Sequence, residues 1–185
     1  AEVIARSLDL NRLTALAKSL PAREKIAPMS PPAQCIAIAQ DRAFAFAYPH
    51  ILRDWRAQGA EIHTFSPLAN EPVPECDFLF LPGGYPELYA GQLAAAQICM
   101  SSIRQHAEAK PVYGECGGYM MLGDGLIEST GTRHAMAGLL SLETSFQTRK
   151  LHLGYRTLNA THGPFIGAWA AHEFHYASTL KAKGK

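Results

Sequence analysis

Residues 111–121 read PVYGECGGYMM, and this stretch decides the fold. Pro111 to Glu115 is a short apolar run of the kind that forms a buried strand. Gly114-Glu115-Cys116-Gly117-Gly118 follows the pattern Gly-x-nucleophile-x-Gly of a strand-to-helix turn, with cysteine as the nucleophile, and Tyr119 to Leu122 can start a helix. A side chain on so tight a turn sits on strained backbone, and small neighbours before and after it avoid collisions. The helix that follows points free N–H groups at the sulfur. Such groups favour thiolate over thiol and can hold an oxyanion.

The same organisation continues on both sides of this turn. Asp77 to Leu81 reads as a strand that also ends in glycines, Pro82-Gly83-Gly84. Cys35 to Ala39 and Glu61 to Phe65 read as further strands. Pro49 to Gln58 reads as a helix with proline in its first turn and Gly59 just past its end. Ala94 to Lys110 reads as one long helix. Apolar strands alternating with helices predict an α/β fold with a parallel sheet covered on both faces. The final third changes character. Leu142 to Gln147, Leu151 to Leu158 and Ala168 to Tyr176 look extended with little helix between them, so antiparallel pairing is expected there. At the other end, Asp9 to Leu20 has Leu10, Leu13 and Ala17 at helical spacing, and Ala27-Pro-Met-Ser-Pro-Pro follows as a linker. The chain therefore divides into an N-terminal helix and linker, 1–33, and one domain, 34–185.

Bulk properties remove several function classes. The chain has 185 residues, a formal net charge of +1 and 48% hydrophobic residues, which suits one domain with a real core. Near-neutral charge implies neither a nucleic-acid nor an anionic-membrane partner. The apolar runs are too short to span a bilayer, and residues 1–18 lack the pattern of a signal peptide. The four cysteines, Cys35, Cys76, Cys99 and Cys116, form no C-x-x-C pair and no zinc spacing. They point to a reduced, cytoplasmic setting, no metal site, and structural roles for all but Cys116.

The second glycine turn lies at the same sheet edge. Gly83 and Gly84 leave their N–H groups open to a ligand, and one of these together with Gly117 is expected to build an oxyanion hole. The turn is not a phosphate loop, since the only Gly-Lys pair is Gly184-Lys185. A thiol nucleophile needs a proton shuttle, and histidine is the usual choice. Of eight histidines, His50 and His106 read as solvated helix residues and His63 as part of an edge strand. Ala171-His-Glu-Phe-His-Tyr brings two more onto a late strand, where Glu173 and His175 share one face and His172 the other. Spacing alone does not choose between His172 and His175. His172-Glu-Phe-His175 is not a metalloprotease motif, because its histidines are three apart rather than four.

With these residues in view, the chain resembles the C-terminal glutamine amidotransferase domains of cobyrinic (or hydrogenobyrinic) acid a,c-diamide synthases. The markers run from about Cys35 to Ser178: Ala39-Gln-Asp-Arg-Ala-Phe, Gly59-Ala-Glu-Ile with Phe65-Ser-Pro-Leu, Leu81-Pro-Gly-Gly-Tyr-Pro-Glu-Leu, Gly114-Glu-Cys-Gly-Gly, Leu153-Gly-Tyr-Arg and His172-Glu-Phe-His-Tyr. The resemblance implies a class I glutamine amidotransferase-like (flavodoxin-like) fold. It implies that Cys116 forms a γ-glutamyl thioester and that His175 raises its reactivity. It implies no cofactor in this domain, with ATP and Mg2+ used by a synthetase domain or subunit that carries the corrin substrate and receives ammonia for its a and c carboxylates. One departure matters. Related chains carry Phe-His-Pro-Glu, and the position of that glutamate is Ala177 here. The expectation is a Cys–His dyad, with Glu173 as a possible supporting group. Two other readings stay open: a cysteine hydrolase of the same fold acting on another substrate, and a non-catalytic domain that docks a synthetase.

Overall fold

The computed structural model describes residues 7–19 and 28–183. Ten strands are described: β1 (Cys35–Ala39), β2 (Glu61–Phe65), β3 (Phe78–Leu81), β4 (Val112–Gly114), β5 (Gly125–Ile127), β6 (Arg133–Ala135), β7 (Ser141–Ser145), β8 (His152–Ala160), β9 (Gly167–His175) and β10 (Ser178–Lys183). The helices are α1 (Leu10–Leu16), α2 (Pro49–Ala57), α3 (Ala90–Ala95), α4 (Gln97–Ala107) and α5 (Gly117–Met121), with a 3-10 turn over Pro86–Leu88.

The first sheet is wholly parallel, in the order β2-β1-β3-β4. Its central strands are apolar at every position because both of their faces are covered. Alternate residues divide between two cores. Ile36, Ile38, Phe78 and Phe80 meet Trp55 of α2 on one side. Ala37, Ala39, Leu79 and Leu81 meet Leu93, Cys99, Ile103 and Met121 on the other. Full burial stabilises by about 1.5–3 kcal/mol for each isoleucine, leucine, phenylalanine or methionine among them. A second sheet, β10-β7-β5-β6, mixes parallel and antiparallel pairs, and β8 with β9 forms a separate antiparallel ribbon. The expected α/β class, with antiparallel strands in the C-terminal third, is what the chain adopts.

Several boundaries differ from the sequence reading. The long helix expected over Ala94 to Lys110 is broken at Ala96, which is not helical (φ −77°, ψ 65°). The side chain of Asn70 restarts it. Its Oδ1 accepts from the N–H groups of Ile98 (2.9 Å) and Cys99 (3.0 Å), which places a cap from a distant loop in the first turn of α4. The N-terminal helix covers Leu10–Leu16, capped by Asp9, whose carboxylate accepts from the Arg12 N–H at 3.0 Å. Its expected apolar face is exposed, and Leu20 lies outside the described residues. β5 and β6 are three residues each, too short to show a period, and β10 is a lysine-bearing edge strand that reads as polar. His106 is not a solvated helix residue. Its ring is half-buried, with Nδ1 3.8 Å from Cys76 Sγ and Nε2 3.3 Å from the Pro111 carbonyl, and burial pulls its pKa down.

Glycine is required where two strand ends interlock. A Cβ on Gly118 would collide with the Leu81 carbonyl, and one on Gly114 would lie 2.8 Å from the backbone of Gly118. Gly91, by contrast, has only the rim of the His134 ring nearby, at 3.4 Å. Gly118→Ala is therefore expected to cost about 2 kcal/mol or more, as overpacking against backbone does. Gly91→Ala, inside α3, is expected to be neutral or to stabilise by up to about 1 kcal/mol. Urea denaturation of the two variants checks the pair, and equal midpoints would contradict it.

Candidate active site

Cys116 stands at the C-terminal edge of the parallel sheet, between β4 and α5. Its backbone has φ 49° and ψ −110°, a left-handed conformation that costs a non-glycine residue on the order of 1–3 kcal/mol. Surrounding contacts hold it there. The Gly118 N–H donates to both Pro82 O (3.0 Å) and Glu115 O (2.8 Å), and Glu115 N–H donates to Leu81 O (3.1 Å). The two glycine turns are thus tied together.

Gly84 is fixed from the other side. The Tyr85 N–H donates to Ala43 O and the Phe46 N–H to Gly83 O, and a Cβ on Gly84 would collide with that Ala43 carbonyl. Asp41 holds this loop in place. Its Oδ1 accepts from the N–H groups of Ala43 (2.8 Å) and Phe44 (3.2 Å), while Oδ2 accepts from Ser66 Oγ (3.0 Å) and the Leu68 N–H (2.9 Å). In the sequence Asp41 was only a marker of resemblance. Its bracing role emerges because four donors from two loops converge on one carboxylate.

The result is a pair of backbone N–H groups, Gly84 and Gly117, that both donate toward the Cys116 sulfur. Gly83 lies against it too, since a Cβ there would sit 3.2 Å from Cys116 Cβ. Electrostatics do not favour the thiolate as the sequence suggested. Cys116 is exposed to the cleft, yet protein atoms crowded around its sulfur displace enough water to push the thiol above its usual range, and Glu115 and Glu87 push it further, against the pull of the two N–H groups. Glu115 is itself raised by burial, with Tyr48, Tyr113 and His172 drawing it back.

Opposite Cys116, β8 and β9 close a cleft of about 470 Å³ lined by Cys116, Tyr119, Arg156, His172, Glu173 and His175. A larger cavity of about 710 Å³, between Met29, Ile51, Phe165 and Trp169, is lined by no cysteine. In the β8–β9 register His152 faces His175 and Gly154 faces Glu173, so the expected shared face of Glu173 and His175 turns toward the cleft. Gly154 leaves room for the Arg156 guanidinium to cross the ribbon and pair with Glu173.

Both nitrogens of His175 are engaged: Nδ1 lies 3.0 Å from Ala177 O, and Nε2 lies 2.9 Å from Glu173 Oε1. The main-chain carbonyl of Ala177 thus takes one side of the ring. Glu173 is held below the usual carboxylate range, first by His175 and then by Arg156. Among the described residues no hydrogen bond joins Cys116 to an imidazole. The structure brings Cys116, Gly83, Gly84, Gly117, His172, Glu173 and His175 to one site, with the thiol and His175 in a resting arrangement.

Comparison with known proteins follows this geometry. A model of the CobB/CobQ-like glutamine amidotransferase domain matches residues 35–185. The hydrogenobyrinate a,c-diamide synthase of Agrobacterium fabrum is 50% identical over 97% of this chain, and that of Rhodobacter capsulatus is 47% identical over 98%. The chain spans about 43% of the length of these relatives. Among solved structures, a glutamine amidotransferase shares the fold at a TM-score of 0.51 and 13% identity, over 80% of this chain and 75% of that one. No described helix is long and apolar enough to cross a membrane.

The raised thiol has a measurable consequence. Below its pKa the thiolate fraction grows about tenfold per pH unit, and thiolate is the form that alkylates. Without glutamine, the rate at which iodoacetamide modifies Cys116 is expected to climb steadily from pH 7 to pH 9. A plateau below pH 7 would mean that the thiol is already ionised and would contradict the assignment.

Proposed function

Because the chain belongs to the CobB/CobQ-like glutamine amidotransferase family, we propose that it is the glutaminase part of a hydrogenobyrinate or cobyrinate a,c-diamide synthase. In this reading it releases ammonia from glutamine, and the remaining part of the protein uses ATP and Mg2+ to place that ammonia on corrin carboxylates a and c. Residues 1–33 serve as the joint to that part. The reaction is carried out in the cytoplasm.

The observation that carries the reading is the strained backbone of Cys116, with the N–H groups of Gly84 and Gly117 on its sulfur. A thiol needs no such strain to fill space. The strain exposes the sulfur beyond the strand end and leaves two donors ready for an oxyanion. Glutamine enters the cleft between Cys116 and β9. His175, released from Glu173 as a neutral ring with its proton on Nδ1, takes the thiol proton at Nε2, and the sulfur attacks the side-chain amide carbon. The two N–H groups hold the developing oxyanion. His175 passes its proton to the departing ammonia, then takes one from water as the thioester is hydrolysed to glutamate. The Ala177 carbonyl keeps the Nδ1–H tautomer throughout, as a triad carboxylate does elsewhere.

Ammonia release from glutamine tests the roles. Cys116→Ala is expected to abolish it, and His175→Ala to lower it roughly a hundredfold or more. His172→Ala is expected to cost much less. Undiminished release by Cys116→Ala removes the nucleophile assignment, and a larger loss for His172→Ala than for His175→Ala moves the proton shuttle to His172.

A further inference from the structure

The face of the ribbon that holds His175 carries a second set of groups with a chemistry of its own. His152 and His175 lie directly opposite each other on β8 and β9, with their rings stacked 4.7 Å apart at 11°. One ring nitrogen of each and a carboxylate oxygen of Glu173 all lie within 4.8 Å of one another. We propose that His152, Glu173 and His175 form a binding site for a divalent transition metal of the zinc class, next to the nucleophile.

Three features support this. First, donor spacing: two ligand atoms at zinc distances, with right-angle to tetrahedral geometry, stand about 2.9–3.4 Å apart. Nε2 of His175 and Oε1 of Glu173 already stand at that spacing, 2.9 Å apart, and the His152 and His175 rings, parallel at 11°, tilt out of their stack to point one nitrogen each at the ion. Second, the outer partners are those of a metal site. Ligating histidines present one nitrogen to the metal and give the other N–H to a carbonyl, and ligating carboxylates are themselves hydrogen-bonded. His175 Nδ1 meets Ala177 O at 3.0 Å, and the far oxygen of Glu173 is held by Arg156. Third, two imidazoles and one carboxylate suit zinc, cobalt and nickel and leave positions open for water or a soft ligand. The Cys116 thiol lines the same cleft and can fill one of them. An ion here would occupy Nε2 of His175, the nitrogen that serves the thiol in the proposed reaction, so occupancy would silence the site reversibly.

A rival trio exists. Cys35, Glu61 and His63 also bring ligand atoms within 4.8 Å of one another, but Glu61 and His63 are exposed on edge strand β2 and have no comparable outer partners described. Calorimetric titration of the chain with zinc chloride separates the two. The expected result is one zinc per chain, weakened roughly tenfold to a hundredfold by His152→Ala and by Glu173→Gln, and retained in Cys35→Ser. Cobalt(II) gives a second readout, on the unaltered chain and on Cys35→Ser alone. A d–d spectrum that is the same in the unaltered chain and in Cys35→Ser supports the ribbon site. No metal uptake, or uptake lost in Cys35→Ser and indifferent to His152→Ala, overturns it. These readouts follow metal rather than glutamine, so they decide this site whether or not the glutaminase reading stands.

Discussion

The interlock between two glycine turns sets the terms for the rest of the molecule. Strands β3 and β4 end side by side, and the chain leaves them through Pro82-Gly83-Gly84 and Cys116-Gly117-Gly118. Gly118 packs against the Leu81 carbonyl and Gly84 against the Ala43 carbonyl so closely that no Cβ fits at either position. That contact forces Cys116 into its left-handed conformation, and the conformation brings two main-chain N–H groups to one sulfur. The parallel sheet, its two buried faces and the Asp41 brace can all be seen as what holds this strain in place.

Much of this was written in the chain. PVYGECGGYMM contains a buried strand, a tight turn and a helix start in eleven residues, and each part is local. FLFL followed by Pro-Gly-Gly was equally plain, because a strand covered on both faces must be apolar throughout. The alternation along β9 correctly put Glu173 and His175 on one face. What stayed hidden depends on contacts between residues distant in sequence. Asn70 caps a helix twenty-eight residues away, and Asp41 gathers N–H groups from two loops. No periodicity reports either. The thiol's surroundings were hidden for a related reason: the sequence revealed the turn at Cys116 but not the atoms crowded around its sulfur, Glu115 and Glu87 among them.

The histidine question shows where local reading stops. The sequence offered His172 and His175 without a preference, and resemblance chose the second. The structure gives His175 two acceptors, Ala177 O and Glu173 Oε1, and stacks it on His152. Alanine at 177 therefore does not leave the ring without a partner. A main-chain carbonyl, which no substitution at 177 removes, now meets Nδ1. Glu173 in turn keeps Nε2 away from the thiol, and Arg156 reaches Glu173 only because Gly154 lacks a side chain. In this structure His175 is thus paired with Glu173 rather than with the Cys116 thiol, and in the proposed reaction it would have to leave that carboxylate. Turnover requires that one side chain change partner.

The central claim is that Cys116 receives the side-chain amide of glutamine. An alkylating electrophile built on the glutamine skeleton, followed by peptide mapping, tests it most directly. The account predicts modification confined to the peptide that carries Cys116, slowed by added glutamine and untouched by added glutamate at the same ionic strength. Labelling of Cys35, Cys76 or Cys99 in its place, or labelling of Cys116 that glutamine does not slow, would contradict it.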